Sequence, residues 1–419
     1  MNTVNTSAVK TSDNPGWLGN FAKSQLLKRL QQLPRGYLLI EDGDDLFSFG
    51  DPENHAGIKA KIVIKDTSAY RDIAFGGSIG GAEAYMLDKW TTPNLVEVVR
   101  LMSINIDFLN EMDDAKPLLQ RIGDKLFHWL NRNTEKQARQ NIASHYDLSN
   151  DFFALFLDPE MMYSAAIFPH PDADLDEAAI HKLDVICRKL DLQPGDHLLE
   201  IGTGWGGLAI YAAKHYGCRV TTTTISKEQF DTARDRVQAE RLEQQVEVLF
   251  EDYRNLTGRF DKLVSIEMIE AVGHEYYKQY FSGCAALLKD DGLMLLQAIT
   301  VPDQRFEYAQ KSVDFIQRYI FPGGSLPSHE AILSSVKKNT DMLMIEMQEI
   351  GEDYARTIEI WRERFMSKLD QVRALGFDDY FIRMWNYYLC YCQGGFEERV
   401  IGTSQMLFAK PDWRKTSCS

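Results

Sequence analysis

From Asp176 onward, short apolar runs alternate with segments in which apolar residues recur at helical spacing. Strands that alternate with helices in this way are typical of a parallel sheet covered by helices on both faces. The pattern therefore predicts a doubly wound, Rossmann-like α/β domain. Its predicted strands are residues 198–201, 218–224, 246–250, 262–266 and 292–296.

The first part of the chain has a different pattern of apolar and polar residues. Residues 17–33 repeat apolar positions at helical spacing, with Lys23, Lys28 and Arg29 between them. A basic amphipathic helix of this kind either packs on its own domain or lies in a membrane interface, and the pattern leaves both interpretations open. The segments 37–41, 46–49 and 58–64 read as short strands, and 94–108 and 116–129 as helices.

The polar stretch 131–136 separates these two patterns. We therefore predict a small α+β domain over residues 1–130 and a catalytic domain over residues 131–419. Within the second domain, residues 302–396 are mainly helical in pattern and rich in aromatic residues and methionine. This segment is interpreted either as an apolar cap that binds a lipid chain or as a second hydrophobic core.

Composition narrows the class of protein. An apolar fraction of 44% and a charged fraction of 26% are those of a soluble globular protein, and no run approaches the length of a membrane span. The formal net charge of −15 argues against a nucleic-acid partner. Residues 1–14 are polar and lack the apolar core of a secretory signal, so a cytoplasmic protein is expected. The six cysteines are expected to be reduced and structural, and no metal site is predicted.

The run from Leu198 to Gly207 is the strongest local signal for a ligand. Gly202, Gly204 and Gly207 allow a tight turn between a strand and a helix whose free N–H groups face a ligand. The acid that NAD-binding proteins carry after the next strand is missing, because that strand ends in hydroxyls at Thr224. Glu200 facing an ammonium and Asp252 accepting from adenine suit S-adenosylmethionine better than NAD.

Three passages resemble the cyclopropane fatty acid synthases and the mycolic acid methyltransferases. They are residues 141–153 running into 157–164, the turn 200–207 followed by 224–226, and residues 321–328. The similarity covers residues 131–410, and residues 77–90 resemble the N-terminal domain of the bacterial synthases. His145, in the first passage, is expected to be structural.

The resemblance implies methyl transfer from S-adenosylmethionine to the cis double bond of an acyl chain in a membrane phospholipid. A carbocation results, and a base must then remove a proton. In the similar synthases a bicarbonate ion is thought to serve as that base or to relay its proton. Carried over by motif, the residues that would hold bicarbonate are Glu270, Tyr354 and the backbone N–H groups of Ala165 and Ile299. The matching cofactor positions are Tyr163, Ser164, Gly202, Gly204, Thr224, Ile225 and Gln229.

Two positions depart from the family pattern. Ala165 stands where the synthases usually carry cysteine, and Gln297 where they carry a histidine that contacts bicarbonate. Because glutamine does not accept a proton near neutral pH, the product is left open between a cyclopropane, a methylated alkene and a methyl branch. The alternatives are a methyltransferase of a soluble small molecule and a lipid-binding protein with impaired catalysis. The resemblance also suggests a homodimer at the inner face of the membrane.

Overall fold

A computed structural model describes residues 17–53, 57–114 and 148–415. The chain divides into two compact units, Met1–Lys116 and Pro117–Ser419. The predicted boundary at residue 130, the predicted helix 116–129, the polar stretch 131–136 and His145 all lie outside the described residues. The boundary at residue 130 therefore stays a prediction.

The N-terminal unit contains a four-stranded sheet with the strand order β2-β1-β3-β4, in which β1 pairs in parallel with β3 and antiparallel with β2. The predicted helix over 94–108 is interrupted at Asn105, whose side chain donates to the carbonyl oxygens of Arg35 and Leu101. The elements are α1 (Trp17–Leu30), β1 (Tyr37–Asp42), β2 (Asp45–Gly50), β3 (Lys59–Ile64), α2 (Ser68–Met86), β4 (Trp90–Thr91), α3 (Leu95–Ile104) and α4 (Ile106–Asp114).

Helix α1 shows features of both interpretations of its sequence. Leu26 and Leu30 are buried in the unit, whereas Trp17 is 78% exposed and Phe21 47% exposed, and their rings stack at 6.0 Å. The Lys23 ammonium donates to Asp42 over 2.6 Å. Lys23 is therefore a structural cation of this unit.

The second unit contains a seven-stranded sheet with the strand order β10-β11-β9-β8-β5-β6-β7. Strands β5 to β9 are parallel, as predicted, and buried apolar residues cover both faces of the sheet. The strands are β5 (His197–Ile201), β6 (Arg219–Thr224), β7 (Val246–Phe250), β8 (Phe260–Ile266), β9 (Leu288–Thr300), β10 (Leu343–Glu349) and β11 (Gly402–Ala409).

Two of these strands correct the sequence interpretation. The segment 302–396 is not helical throughout, because it contains β10, and β11 follows it near the C-terminus. Both strands pair antiparallel, β11 with β9 and β10 with β11, so they extend the parallel sheet at one edge. The predicted doubly wound fold is otherwise confirmed.

Helices cover this sheet and its carboxyl edge. None of the helices in the described part of the chain is long and apolar enough to cross a membrane. The helices of this unit are α5 (Asn150–Phe153), α6 (Leu175–Lys189), α7 (Gly207–Tyr216), α8 (Lys227–Ala239), α9 (Tyr277–Leu287), α10 (Asp303–Ala309), α11 (Phe315–Tyr319), α12 (His329–Asn339), α13 (Gly351–Ser367), α14 (Leu369–Ala374) and α15 (Asp379–Glu397).

Candidate functional site

The glycine-rich turn joins β5 to α7 at the carboxyl edge of the sheet. Gly202 and Gly204 have φ values of +101° and +53°, a region that favours glycine because it has no Cβ. Gly207 is needed for a different reason, since a Cβ there would meet the carbonyl oxygen of Glu160 and the sulfur of Met162, each at 2.8 Å. The segment that includes residues 160–162 therefore lies directly on the start of α7.

Glu200 is the acid predicted to face the cofactor. It lies near the end of β5, is buried, and its Oε2 accepts from the Thr222 hydroxyl over 2.6 Å. Burial raises the pKa of Glu200 to about 8, although the Thr222 hydrogen bond and the Lys182 charge oppose this shift. A bound cation, such as a ligand ammonium, would favour the ionised form of this carboxyl.

The predicted ribose-side residues form a small polar group after β6. The Thr224 hydroxyl donates to Oε1 of Gln229 over 2.8 Å, and both side chains are buried. Ser226 caps α8 by accepting from the Gln229 N–H. Ile225 lies between them and is partly buried. Thr224, Ser226 and Gln229 thus form one neutral polar group, and the apolar Ile225 lies next to it in the chain.

Asp252 is buried and paired within the protein. Its carboxylate accepts from the guanidinium of Arg254 at 2.6 and 2.8 Å and from the Arg254 N–H at 3.0 Å. Contact between Asp252 and an adenine amino group stays a prediction, and this arrangement gives the carboxylate a fixed orientation for it.

Tyr163 and Ser164 are held by side chains from three helices. The Tyr163 ring stacks on Trp361 with centroids 5.3 Å apart, and its hydroxyl lies 2.8 Å from the hydroxyl of Tyr388. The Ser164 hydroxyl accepts from the ammonium of Lys182 over 2.7 Å. The next residue, Ala165, is fully buried and directs its N–H toward the end of β8.

Glu267, which follows β8, occupies the centre of the predicted catalytic residues. Its Oε1 accepts from the Ala165 N–H over 2.9 Å and from Nε2 of Gln297 over 2.8 Å. Its Oε2 accepts from the Tyr354 hydroxyl over 2.7 Å. Three donors that the family resemblance associates with a bound bicarbonate therefore hold a carboxylate of the chain itself.

The backbone of Glu267 is unusual as well. Its φ is +48°, in the left-handed region that costs a residue with a Cβ roughly 1 kcal/mol or more. Since such outliers persist where the surroundings enforce them, a glutamate here indicates a functional role. Burial raises the pKa of Glu267, and the hydrogen bonds from Tyr354, Ala165 and Gln297 and the charge of Lys182 oppose that rise.

Glu270, the predicted catalytic carboxylate, lies beside Glu267 and has fewer donors. Its Oε1 accepts from the Ile299 N–H over 2.6 Å, while its Oε2 is buried without a hydrogen-bond partner. Burial and the neighbouring Glu267 raise the pKa of Glu270 to about 8. When two close buried carboxyls compete for charge, the one with more donors ionises first. Glu267, with three donors against one for Glu270, is therefore the first of the two to ionise as pH rises.

The third sequence passage reaches the same place. The Ser325 N–H donates to the backbone carbonyl of Glu270 over 2.8 Å, and Gln317 donates to the carbonyl of Gly324 over 2.9 Å. The first passage ends at Ser164, and the next residue, Ala165, donates to Glu267. The described parts of the three passages therefore lead to the carboxyl edge of the sheet.

Aromatic rings pack around Tyr354, whose hydroxyl donates to Glu267. The Tyr354 ring stacks on Phe396 at 4.5 Å between centroids and meets the edge of Trp361 at 6.1 Å. Trp361 in turn stacks on Tyr163. Ring faces and one carboxylate in a water-poor setting can stabilise a positive charge without offering it a nucleophilic water.

Sequence reasoning missed two residues of this site, Glu267 and Lys182. A signal existed for each. Glu267 follows its strand directly, much as Glu200 closes β5, and lies three residues before Glu270. Lys182 falls on the apolar stripe of α6 with Leu175, Ala178 and Ile186, where a cation is out of place unless it has a buried partner.

Comparisons with known proteins identify the family of the chain. Residues 133–406 match the family described as mycolic acid cyclopropane synthetase. The tuberculostearic acid methyltransferase UfaA1 of Mycobacterium tuberculosis is 39% identical over 344 residues, which cover 80% of this chain and 79% of that protein. The cyclopropane-fatty-acyl-phospholipid synthase of Escherichia coli is 35% identical over 353 residues, which cover 84% of this chain and 88% of that one.

A solved structure is similar too. Mycolic acid cyclopropane synthase CmaA1 in complex with SAH and CTAB superposes with a TM-score of 0.61 at 34% identity, over 65% of this chain and 98% of that one. The superposition shows that the sheet and its covering helices share the arrangement of a methyltransferase crystallised with the demethylated donor.

Proposed function

The chain belongs to the mycolic acid cyclopropane synthetase family and is an S-adenosylmethionine-dependent methyltransferase, and from this premise we propose that it methylates the cis double bond of unsaturated acyl chains in membrane phospholipids. The relatives named for fatty-acyl and phospholipid substrates support the acyl chain as acceptor. The observation that carries the proposal is the partly buried carboxylate of Glu267, which three donors hold beside Glu270.

The chemistry requires an ordered, dry site. An alkene is a weak nucleophile, so the sulfonium methyl must be held within about 3 to 3.5 Å of it and in line with it. As the new carbon–carbon bond forms, the methyl–sulfur bond breaks and the sulfur keeps its electron pair. The acyl chain is left as a carbocation, which the ionised Glu267 and the rings of Tyr163, Tyr354 and Trp361 stabilise.

Glu267 then accepts a proton from the cation. Its donors fix it in place and favour its ionised form, so it is proposed to perform the role that the resemblance assigns to bicarbonate. Loss of a proton from the new methyl group gives a cyclopropane when the ring closes. Loss after a hydride shift gives a methylene group, which a separate reductase would convert to a methyl branch.

The donor is proposed to bind along the strand ends. Because Gly202 and Gly204 have no side chains, the donor could approach the backbone of the turn closely. The carboxylate of the buried Glu200 would attract the ammonium of the donor. Thr224, Ile225 and Gln229 are proposed to contact the ribose, and Asp252 the adenine. Tyr163 and Ser164 are proposed to contact the donor as well, and neighbouring side chains hold both hydroxyls in place.

The N-terminal unit is proposed to bring the enzyme to the inner face of the membrane. Trp17 and Phe21 present a stacked, exposed aromatic pair, and Lys28 and Arg29 are exposed on the same helix. Exposed rings favour the interface between headgroups and acyl chains, and cations favour anionic lipid.

Labelling in cells tests the function. Cells that express the chain are grown with methyl-labelled methionine, and their phospholipids are analysed by mass spectrometry. The proposal predicts labelled acyl chains that are heavier by one labelled CH₂ group. Label confined to soluble metabolites would instead support a small-molecule substrate and contradict the proposal. Mild catalytic hydrogenation, which reduces a methylene alkene and spares a cyclopropane, distinguishes the two products.

A further inference from the structure

Lys182 is a fully buried cation at the edge of the candidate site. It lies on the apolar face of α6, and its Nζ donates to the Ser164 hydroxyl oxygen over 2.7 Å. Within residues 17–53, 57–114 and 148–415, Ser164 is the one hydrogen-bond acceptor of this ammonium. An ammonium has three N–H donors, so most of its bonding capacity is available to a ligand.

Three carboxyls, of which Asp158 and Glu200 are buried and Glu267 is partly buried, explain why the cation is retained. Burial lowers the pKa of Lys182 to about 8, and the charges of Glu267, Asp158 and Glu200 oppose that fall. Each of these carboxyls already has other donors. Asp158 accepts from the N–H groups of Glu160 and Met162. The ammonium therefore provides positive charge to the site as a whole and is not committed to one ion pair.

The hydrogen bond from Lys182 fixes the role of the Ser164 hydroxyl. Because its oxygen accepts from the ammonium, its hydrogen is directed elsewhere, and no residue in the described part of the chain accepts it. Ser164 lies two residues after Met162, which packs on Gly207, and one residue before Ala165, which donates to Glu267. This donor thus lies on the segment that runs from the glycine-rich turn to the catalytic carboxylate.

S-adenosylmethionine has one anionic group, its carboxylate, and two cationic groups, its ammonium and its sulfonium. A buried ammonium attracts the first and repels the other two. We propose that Lys182 is a positioning residue that orients Ser164 so that its hydroxyl donates to the carboxylate of the methyl donor. The amino-acid arm of the donor is thereby held in one direction. This inference rests on the proposed methyl-transfer site.

Two probes separate this role from a structural one. S-adenosylhomocysteine carries the carboxylate, and methylthioadenosine keeps the adenosine and the sulfur but lacks the amino-acid arm. Calorimetric titration of both ligands is compared for the parent chain, Lys182→Met and Ser164→Ala. Because hydrogen bonds to charged groups are strong, we expect each variant to bind S-adenosylhomocysteine about 10- to 100-fold more weakly. Affinity for methylthioadenosine should change less than about twofold.

The double variant Lys182→Met/Ser164→Ala tests whether the two residues act as one unit. Its loss of S-adenosylhomocysteine affinity should be close to that of either single variant and well below their product. Lys189→Met, on the same helix, removes a lysine that contacts Gln348 and Glu346 and should leave both affinities unchanged.

Equal weakening of both ligands, or unchanged affinity for S-adenosylhomocysteine, would overturn the inference. If Lys182→Met does not fold, as its thermal unfolding would show, Ser164→Ala alone decides the matter by the same comparison of ligands. A parent chain that binds neither ligand would contradict the proposed function itself. That result is distinct from one in which the parent binds both ligands and the variants weaken both equally.

Discussion

The hydroxyl of Tyr354 donates to Oε2 of Glu267 over 2.7 Å, which joins a helix that covers the sheet to the residue that ends its central strand. The Ala165 N–H and the Gln297 amide occupy the other oxygen. A carboxylate held by three donors is oriented before substrate binds.

Glu267→Gln should reduce turnover by about 100- to 10,000-fold, since it removes the general base while keeping the shape of the side chain. Affinity for S-adenosylhomocysteine should stay close to that of the parent chain. Turnover with phospholipid vesicles and calorimetric titration measure the two effects. Turnover close to that of the parent would show that Glu267 is not the base.

Glu267→Gly should be rescued by added bicarbonate. Removal of the side chain frees the Ala165 N–H, the Gln297 amide and the Tyr354 hydroxyl, and a φ of +48° suits glycine. Turnover of this variant should therefore rise with bicarbonate concentration, whereas Glu267→Gln, which fills the space, should not respond. A response of the parent chain itself would show that an external anion is already part of the reaction.

Tyr354→Phe should change the pH dependence of turnover. A hydrogen bond to the ionised form lowers the pKa of a carboxyl, so its removal raises the pKa of Glu267 and moves the acidic limb of the profile to higher pH. A loss of about tenfold is expected at neutral pH. Tyr388→Phe is the matched control, because that hydroxyl pairs with Tyr163, and an identical shift in both variants would refute the specific role of Tyr354.

Glu270→Gln should alter stability in a pH-dependent way. The pKa of Glu270 is raised to about 8 from an ordinary 4.5, so the folded protein holds this proton more tightly than the unfolded chain. The parent therefore loses stability as pH rises from about 4.5 through 8, by about 1.4 kcal/mol for each unit of the pKa difference. The Glu270→Gln variant has no proton to lose at this position, so its stability does not fall for this reason.

Chemical denaturation at several pH values measures the effect. The free energy of unfolding of Glu270→Gln, relative to the parent, should increase from pH 5 to pH 9. The exposed Glu307→Gln serves as the control and should show a constant difference. A constant difference for Glu270→Gln as well would mean that Glu270 is not a protonated, buried carboxyl.

Charge reversal at Lys28 and Arg29 should weaken binding to anionic vesicles by at least about tenfold, since each cation near such a surface contributes about 1 kcal/mol. Lys23 is left intact because it pairs with Asp42 inside the unit. Lys337→Glu/Lys338→Glu makes the same change in net charge at exposed positions of the catalytic unit. Equal loss of vesicle sedimentation in both double variants would assign the effect to net charge and not to α1.

The sequence was sufficient to predict the elements whose hydrophobic pattern is local. Strand β7 has the predicted bounds, and β5, β6 and β8 differ from prediction by at most two residues, because buried strands bounded by helices have a clear signal. Strand β10 was missed since all of its residues are exposed and it lies among helices. Its strand state depends on pairing with β11, a contact that local pattern does not contain.

The candidate site was partly predictable for a similar reason. Motifs located Tyr354, Ala165, Gln297 and Ile299, and the structure brings all four to the carboxylates that follow β8. The resemblance predicted that these groups and Glu270 lie around a bicarbonate ion, and in the structure three of them contact Glu267, which was not among the predicted site residues. Which of two glutamates three residues apart receives the donors depends on the turn after β8, where Glu267 adopts a positive φ.

In the proposed reaction, a carboxylate of the chain removes a proton from the newly transferred methyl group. Purified protein is incubated with vesicles of an oleoyl phospholipid and S-adenosylmethionine that carries a fully deuterated methyl group, and the acyl chains are analysed by mass spectrometry. With the parent protein, we expect acyl chains that retain two of the three deuterium atoms. With Glu267→Gln, we expect almost none of this product. Acyl chains that retain all three deuterium atoms, or product formation that Glu267→Gln leaves unchanged, would contradict the proposed reaction.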